Sequence, residues 1–277
     1  MTGVLAISFP YQILVLADCR VTWKAATPRL QDNLQKLYHF SPTGVIAFAG
    51  SVAAAQALLR HIGSLPTGQP LPPDPTYIAR ELSGWATHTY HSLPTSGQVE
   101  FELLYAAADY SRIGLAGDNL VFAENVLATM SAPDFQLSFH SDVAALGYAK
   151  SLDQADLIST RDQLFSLATE PIGIPMQVGV SVGTYGERLA RLSGEPVGGL
   201  YTVAVANARG VTWYPYSYAE EVGLRTEGGK FIQFDNRQAP GKEFPLQAIW
   251  EFDTRRPSST DLYVQAPDSR PPKTPDA

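Results

Sequence analysis

Short apolar runs separated by turn sequences occupy the first fifty residues, a pattern that predicts β-hairpins. The predicted strand pairs are residues 3–8 with 12–17, and residues 36–40 with 45–49. The second pair flanks Ser41-Pro42-Thr43-Gly44, where proline presets φ and glycine tolerates a positive φ. The chain therefore begins with two predicted hairpins.

Two helices are predicted after these hairpins. Residues 51–62 are rich in Ala and Leu, and Ser51 is available as an N-cap. Asp74-Pro75 supplies an N-cap followed by proline at the first helical position. Apolar residues then recur at helical spacing, which predicts a second helix over residues 76–92.

Strands and helices alternate through the remainder of the chain. Further strands are predicted at residues 100–108, 112–115, 120–127, 135–139, 200–206 and 211–214. Residues 142–168 predict one or two helices, and residues 176–192 predict another. This order favours a layered α+β architecture in which central sheets are covered by helices. We assign residues 1–238 to one domain and residues 239–277 to a proline-rich, partly disordered extension.

Composition narrows the possible functions. With 45% apolar residues in 277, the chain can bury a substantial core, and a net charge of −7 argues against a nucleic-acid partner. The single cysteine, Cys19, excludes an internal disulfide and is interpreted as an inert thiol. Because no run reaches the ~18 apolar residues that span a bilayer, we expect a soluble cytoplasmic protein with no membrane partner.

Several segments together resemble the β-type subunits of proteasomes and their simpler bacterial relatives, which are N-terminal-nucleophile (Ntn) hydrolases. They are LADCRVT (residues 16–22), QKLYHF (35–40), IAFAGSVAAAQALLRHI (46–62) and EPVGGLYTVAVANARG (195–210). That family has a catalytic threonine at the mature N-terminus, an acidic residue sixteen positions on, a lysine opening a later strand, and Ala-Gly before the first helix. Those positions fall on Thr2, Asp18, Lys36 and Ala49-Gly50.

The resemblance implies both a fold and an activity. The fold is a four-layer αββα sandwich of two antiparallel sheets covered by helices. The activity is that of a threonine-type endopeptidase subunit, which acts on protein or peptide substrates in a homo-oligomeric ring. An ATP-dependent unfoldase is an expected partner, and neither a metal nor another cofactor is expected.

The chemistry requires removal of Met1, which would leave a hydroxyl and a free α-amine together on Thr2. The amine, with an unperturbed pKa of about 8, can take the hydroxyl proton during attack. A nearby Lys36 ammonium favours the neutral amine, and Asp18 would keep Lys36 charged and oriented. The Gly50 N–H would receive the oxyanion, and Arg20 is expected to help hold the acidic residue.

The resemblance also indicates a specificity pocket lined by Val21, Thr22, Phe48 and Val52. Because Phe48 is bulky, we expect a shallow apolar pocket for medium-sized side chains.

The sequence departs from the family at three supporting positions. Tyr148, Gly194 and Val197 stand where the family has Ser, Asp and Ser, and Ser151, Ser193 and Glu195 are nearby candidates for substitution. These departures leave a non-catalytic structural or scaffold subunit as an alternative. An amidase of small molecules is a third class, because the same nucleophile can act on amides generally.

Two further patterns are interpreted as structural. His88 and His91 lie three apart on a predicted helix without another ligand at suitable spacing, so a surface helix is favoured over a metal site. Residues 179–183 match G-x-S-x-G, but no histidine follows Ser181, as that hydrolase fold requires. We interpret Ser181 as a helix residue.

Overall fold

The computed structural model shows an α+β fold with two antiparallel five-stranded sheets, three α-helices with defined bounds, and further helical residues between positions 181 and 189 among its described residues. It describes residues 2–10, 12–18, 20–23, 29–31, 34–64, 74–109, 114–116, 119–121, 124–166, 181, 184–186, 188–189, 192, 197, 201–207, 210–216, 222–227, 230–235 and 248–250.

The strands in chain order are β1 (Gly3–Phe9), β2 (Gln12–Asp18), β3 (Val21–Trp23), β4 (Arg29–Gln31), β5 (Leu37–Ser41), β6 (Gly44–Gly50), β7 (Phe101–Asp109), β8 (Gly114–Ala116), β9 (Asn119–Val121), β10 (Glu124–Ser131), β11 (Ser138–His140), β12 (Val143–Gly147), β13 (Tyr201–Asn207), β14 (Gly210–Tyr216), β15 (Val222–Glu227), β16 (Lys230–Asp235) and β17 (Ala248–Trp250). The α-helices are α1 (Val52–Ser64), α2 (Pro75–His91) and α3 (Gln154–Ser166). Short 3₁₀ helices span Thr95–Gly97 and Tyr148–Ser151.

Each of the two large sheets is built from antiparallel neighbours. The first sheet has the order β12-β1-β2-β13-β14, and the second has the order β11-β10-β7-β6-β5. Smaller sheets are formed by β15-β16-β17, by β3-β4 and by β8-β9. The predicted hairpins β1-β2, β5-β6 and β13-β14 are confirmed.

The central strands are buried on both faces, and the two faces differ in side-chain size. Successive side chains of a strand point to opposite faces. On β1, Leu5 and Ile7 join a cluster with α3, whereas Val4 and Ala6 join a cluster that contains residues of both sheets. On β6, Phe48 joins a cluster with α1 and α2, while its neighbour Ala47 joins the cluster shared by the sheets. Among the described residues, the aromatic side chains of these clusters lie on the faces toward the helices, and the cluster between the sheets consists of Ala, Val, Leu and Ile.

Helices α1 and α2 begin at the predicted caps. The Ala54 N–H donates to Ser51 Oγ over 3.2 Å, and the Thr76 N–H donates to Asp74 Oδ1 over 2.8 Å. Both bonds satisfy amide groups that a helix start leaves without intrahelical partners. The predicted extents of these two helices are confirmed within one or two residues.

The predicted helical stretch over residues 142–168 is wrong in its first part. Residues 143–147 form β12, which pairs with β1, and the α-helix begins only at Gln154. Val143-Ala144-Ala145-Leu146 has no local signal that excludes a helix, but pairing along β1 buries Val143 and Leu146. Tertiary context overrides local propensity here.

Two predicted strands also differ from the structure. The strand expected at residues 135–139 begins only at Ser138, because Phe135 lies in a turn with φ +48°. The strand expected at residues 120–127 appears as β9 and β10, and residues 122–123 between them lie outside the described part.

The C-terminal region was predicted only in outline. Strand β17, at residues 248–250, pairs with β16, although these residues belong to the predicted extension. The predicted tail at residues 257–277 lies outside the described residues, as does Cys19. Among the helices that are described, none has the length and apolarity needed to cross a membrane.

Candidate active site

A buried ion pair lies at the centre of the candidate site. Asp18 is the last residue of β2, in the first sheet, and Lys36 immediately precedes β5, in the second. Lys36 Nζ lies 2.9 Å from Asp18 Oδ1, and the two side chains are 1% and 0% exposed. The ammonium also donates to the Arg20 carbonyl oxygen over 2.5 Å.

Thr2 lies directly beside this pair. It is 5% exposed and immediately precedes β1. The Gly3 N–H donates to Asp18 Oδ1 over 2.8 Å, while the Tyr148 N–H donates to the Thr2 carbonyl oxygen over 2.8 Å. The peptide that links Thr2 to Gly3 is therefore held on both sides, and one carboxylate oxygen contacts both Gly3 and the Lys36 ammonium.

The carboxylate of Asp18 is satisfied by groups from three parts of the chain. Its Oδ1 accepts from Gly3 and Lys36, and its Oδ2 accepts from the Arg20 N–H over 3.2 Å. Removing ions from water costs several kcal/mol per ion, which is offset only when the remaining lone pairs are also hydrogen-bonded. The geometry thus encloses the ion pair in the interior next to the Thr2 backbone.

Arg20 contacts the ion pair through its backbone N–H, which donates to Asp18, and through its carbonyl oxygen, which accepts from Lys36. Besides these two backbone contacts, its Nη1 donates to the Val197 carbonyl oxygen over 3.4 Å. The guanidinium thereby connects the end of β2 to the chain ahead of β13.

Gly50 occupies a position that suits only glycine. It ends β6 just before α1, is exposed, and has φ +92°. An added Cβ would lie 2.2 Å from the Glu100 carbonyl oxygen. The backbone conformation expected of an oxyanion donor at this turn therefore depends on the absence of a side chain.

The predicted pocket residues divide into two groups. Phe48 is 3% exposed and stacks on Tyr38 with ring centroids 6.4 Å apart, and Val52 packs against the same hydrophobic cluster. Val21 and Thr22 lie on β3, and their side chains are not described. The pocket remains a prediction.

The structure describes two of the three residues that depart from the family pattern. Tyr148 contacts Thr2 through its backbone N–H, and its side chain is 39% exposed. Val197 is fully buried, and its Cγ1 lies 3.2 Å from where a Gly3 Cβ would be. Gly194, Ser193 and Glu195 lie outside the described residues. Ser151 Oγ donates to the Tyr148 carbonyl oxygen over 2.7 Å.

Sequence reasoning missed a second polar group beside Thr2. The Gly147 N–H donates to Glu102 Oε2 over 2.8 Å, and the other Glu102 oxygen pairs with Lys150. The available signal was an acidic residue inside the apolar strand FELLYAAAD, where a buried carboxylate needs a partner.

Ser181, the serine of the G-x-S-x-G match, is helical and 1% exposed. This agrees with its interpretation as a helix residue. The chain matches no protein-family model and no curated protein sequence.

Proposed function

We propose that this protein is a threonine-type peptidase subunit of the Ntn-hydrolase class, with Thr2 as its nucleophile after removal of Met1. The observation that carries the proposal is the shared Asp18 oxygen, which joins the buried Lys36 ammonium to the backbone beside Thr2. A cation beside the backbone of an N-terminal threonine is an arrangement that such a nucleophile could use.

The packing of the described elements supports a four-layer αββα sandwich. Helices α1 and α2 share a hydrophobic cluster with one sheet, α3 shares another cluster with the other sheet, and a third cluster contains residues of both sheets. Three separate clusters are what two stacked sheets with outer helices require.

The proposed reaction uses groups of this chain alone. The Thr2 hydroxyl attacks a peptide carbonyl while its proton passes to the neutral α-amine, which later protonates the leaving amine. The Gly50 N–H stabilises the oxyanion. The resulting ester between Thr2 and the acyl group is then hydrolysed by water, which regenerates the hydroxyl.

The hydrogen bonding of Lys36 supports its proposed role. A lysine ammonium has three N–H donors, and within the described part of the chain two acceptors satisfy it, Asp18 and the Arg20 carbonyl. The third donor is proposed to contact the Thr2 oxygen, where the positive charge lowers the cost of removing its proton.

Assembly and partners follow from the resemblance and remain proposals. A homo-oligomeric ring would enclose the nucleophiles, so that access to the chamber limits proteolysis. An ATP-dependent unfoldase would deliver folded substrates, in the cytoplasm.

The test combines intact-mass measurement with covalent labelling by a tripeptide epoxyketone, in which leucine carries the epoxyketone group. This probe needs both the hydroxyl and the amine of an N-terminal threonine, so we expect a protein without Met1 and one adduct on Thr2. The Thr2→Ala variant should neither form the adduct nor cleave peptides. Retained Met1, or peptide cleavage by the variant, would contradict the proposal.

A non-catalytic scaffold subunit is the second candidate. The packing of Val197 against Gly3 favours it, because an apolar side chain stands where the resemblance expects a hydroxyl. A protein that assembles into rings but takes up no epoxyketone after loss of Met1 would support this alternative.

A further inference from the structure

Glu102 is a buried carboxylate that the mechanism above does not use. It lies on β7, shares the face of Leu104 and Ala106, and is 7% exposed. Those two neighbours belong to the cluster shared by both sheets, so Glu102 faces the first sheet from the second.

The Glu102 carboxylate connects the two sheets close to the backbone of Thr2. Its Oε2 accepts the Gly147 N–H over 2.8 Å at the end of β12, and the next residue, Tyr148, donates its own N–H to the Thr2 carbonyl oxygen. Gly147 has φ +57°, and an added Cβ would lie 2.1 Å from that same Thr2 oxygen. The turn at Gly147 is therefore fitted closely to the backbone of Thr2.

Glu102 also lies beside the candidate oxyanion donor. In the β6-β7 pairing, Glu102 stands opposite Ala49, and Phe101 stands opposite Gly50. One side chain thus connects the strand next to Gly50 with the turn that holds Thr2.

We propose that Glu102 is a positioning residue, which acts through Gly147 and Tyr148 to hold Thr2 in register with Gly50. This inference rests on the proposed function. A misplacement of about 1 Å can cost on the order of 100-fold in rate, so the effect should appear in the chemical step and leave probe binding unchanged.

Two substitutions separate the hydrogen bond from the charge. Glu102→Gln keeps an oxygen in place for the Gly147 N–H but removes the charge that faces Lys150. Glu102→Asp keeps the charge but shortens the side chain by one methylene, which moves the carboxylate away from the Gly147 N–H. For the tripeptide epoxyketone, we expect the maximal inactivation rate of Glu102→Gln to stay within about 3-fold of the unmodified protein. That of Glu102→Asp should fall about 10-fold or more, with the half-saturating probe concentration unchanged.

A matched control accounts for lost stability. Thr43 Oγ1 donates to the Ala108 carbonyl oxygen over 2.7 Å at the other end of β7, and Thr43→Val removes this buried bond. We expect Thr43→Val to lower the melting temperature without changing the labelling rate.

The outcomes separate the two proposals. No labelling of the unmodified protein would overturn the proposed function, and the role of Glu102 with it. Labelling of the unmodified protein together with equal rates for Glu102→Gln and Glu102→Asp would overturn only the role of Glu102. A lower labelling rate for Glu102→Gln than for Glu102→Asp would also overturn only the role of Glu102. The charge of residue 102 would then matter more than its bond to the Gly147 N–H.

Discussion

At the residue scale, the candidate site depends on a few side chains that are costly to bury. Asp18 and Lys36 are nearly fully enclosed, and each contacts the backbone as well as the other. Breaking such a pair leaves an uncompensated charge in the interior, which costs more than the pair itself contributes. The presence of the pair is therefore weak evidence for a net gain in stability.

The first prediction concerns this pair. Asp18→Asn should lower the free energy of unfolding by about 3–5 kcal/mol, because the Lys36 ammonium remains buried without its counter-ion. Adding Lys36→Met should recover part of the loss. Urea unfolding of both single variants and the double variant measures the coupling. Costs that add to within about 0.5 kcal/mol would show that the two residues do not interact.

The second prediction concerns Gly50. Gly50→Ala should destabilise the protein by about 1–3 kcal/mol or more, since it combines a left-handed φ with a backbone clash. Gly84→Ala is the matched control: Gly84 is exposed on α2 with no atom within 4 Å of an added Cβ, and alanine there should stabilise by about 1 kcal/mol. Thermal unfolding compares them. Equal melting temperatures for the two variants would contradict the assigned strain.

At the element scale, local sequence signals determined the strongest elements. The Ser41–Gly44 turn, the N-caps Ser51 and Asp74, and the apolar runs of β1 and β2 all agree with the structure. Local signals did not identify β12, whose residues become a strand only by pairing with β1. They also did not indicate β15, β16 and β17, which pair with one another late in the chain.

The third prediction concerns the packing of α3 against the helical residues near position 185. Tyr185 is fully buried, and its hydroxyl donates to the Leu157 carbonyl oxygen over 3.1 Å. Burial raises the pKa of the Tyr185 phenol, so the folded state favours the neutral form. This contribution is complete below the unfolded pKa of about 10 and is lost as pH rises toward the higher folded value.

Tyr185→Phe provides the test. We expect the variant to be less stable by about 1 kcal/mol near pH 8, from the lost hydrogen bond. Because phenylalanine cannot ionise, the difference from the unmodified protein should shrink above about pH 10. Urea unfolding at both pH values measures this difference, and a constant gap would contradict the assigned role of the phenol.

At the scale of the whole molecule, the two large sheets contact each other through aliphatic side chains and a few buried polar bridges. Lys36 and Glu102 cross between the sheets near Thr2. Asn125 of β10 contacts Ser8 Oγ and the Phe9 carbonyl oxygen at the far end of β1. Between these bridges lie mainly alanine and valine. Because most of these side chains are short, the sheets lie close enough for backbone groups of one sheet to bond polar side chains of the other.

The fourth prediction concerns the close packing of the two large sheets. Ala106 is fully buried in the cluster shared by the sheets, and Ala106→Leu should destabilise the protein by about 1–3 kcal/mol through overpacking. Ala53→Leu on the exposed face of α1 is the control and should change stability by less than about 0.5 kcal/mol. If chemical unfolding gave both variants the same stability, the close approach of the sheets would be wrong.

The sequence by itself determined the hairpins, the capped helices and the candidate set of Thr2, Asp18, Lys36 and Gly50. Periodicity, caps and turn residues act over a few neighbours, and the resemblance supplied the longer spacing. Only the tertiary structure decided that β12 is a strand, that the Tyr148 N–H donates to the Thr2 carbonyl, and that Glu102 accepts the Gly147 N–H. These contacts join residues from 45 to 146 positions apart. Their partners are chosen by strand pairing and by packing between the sheets, which no local pattern records.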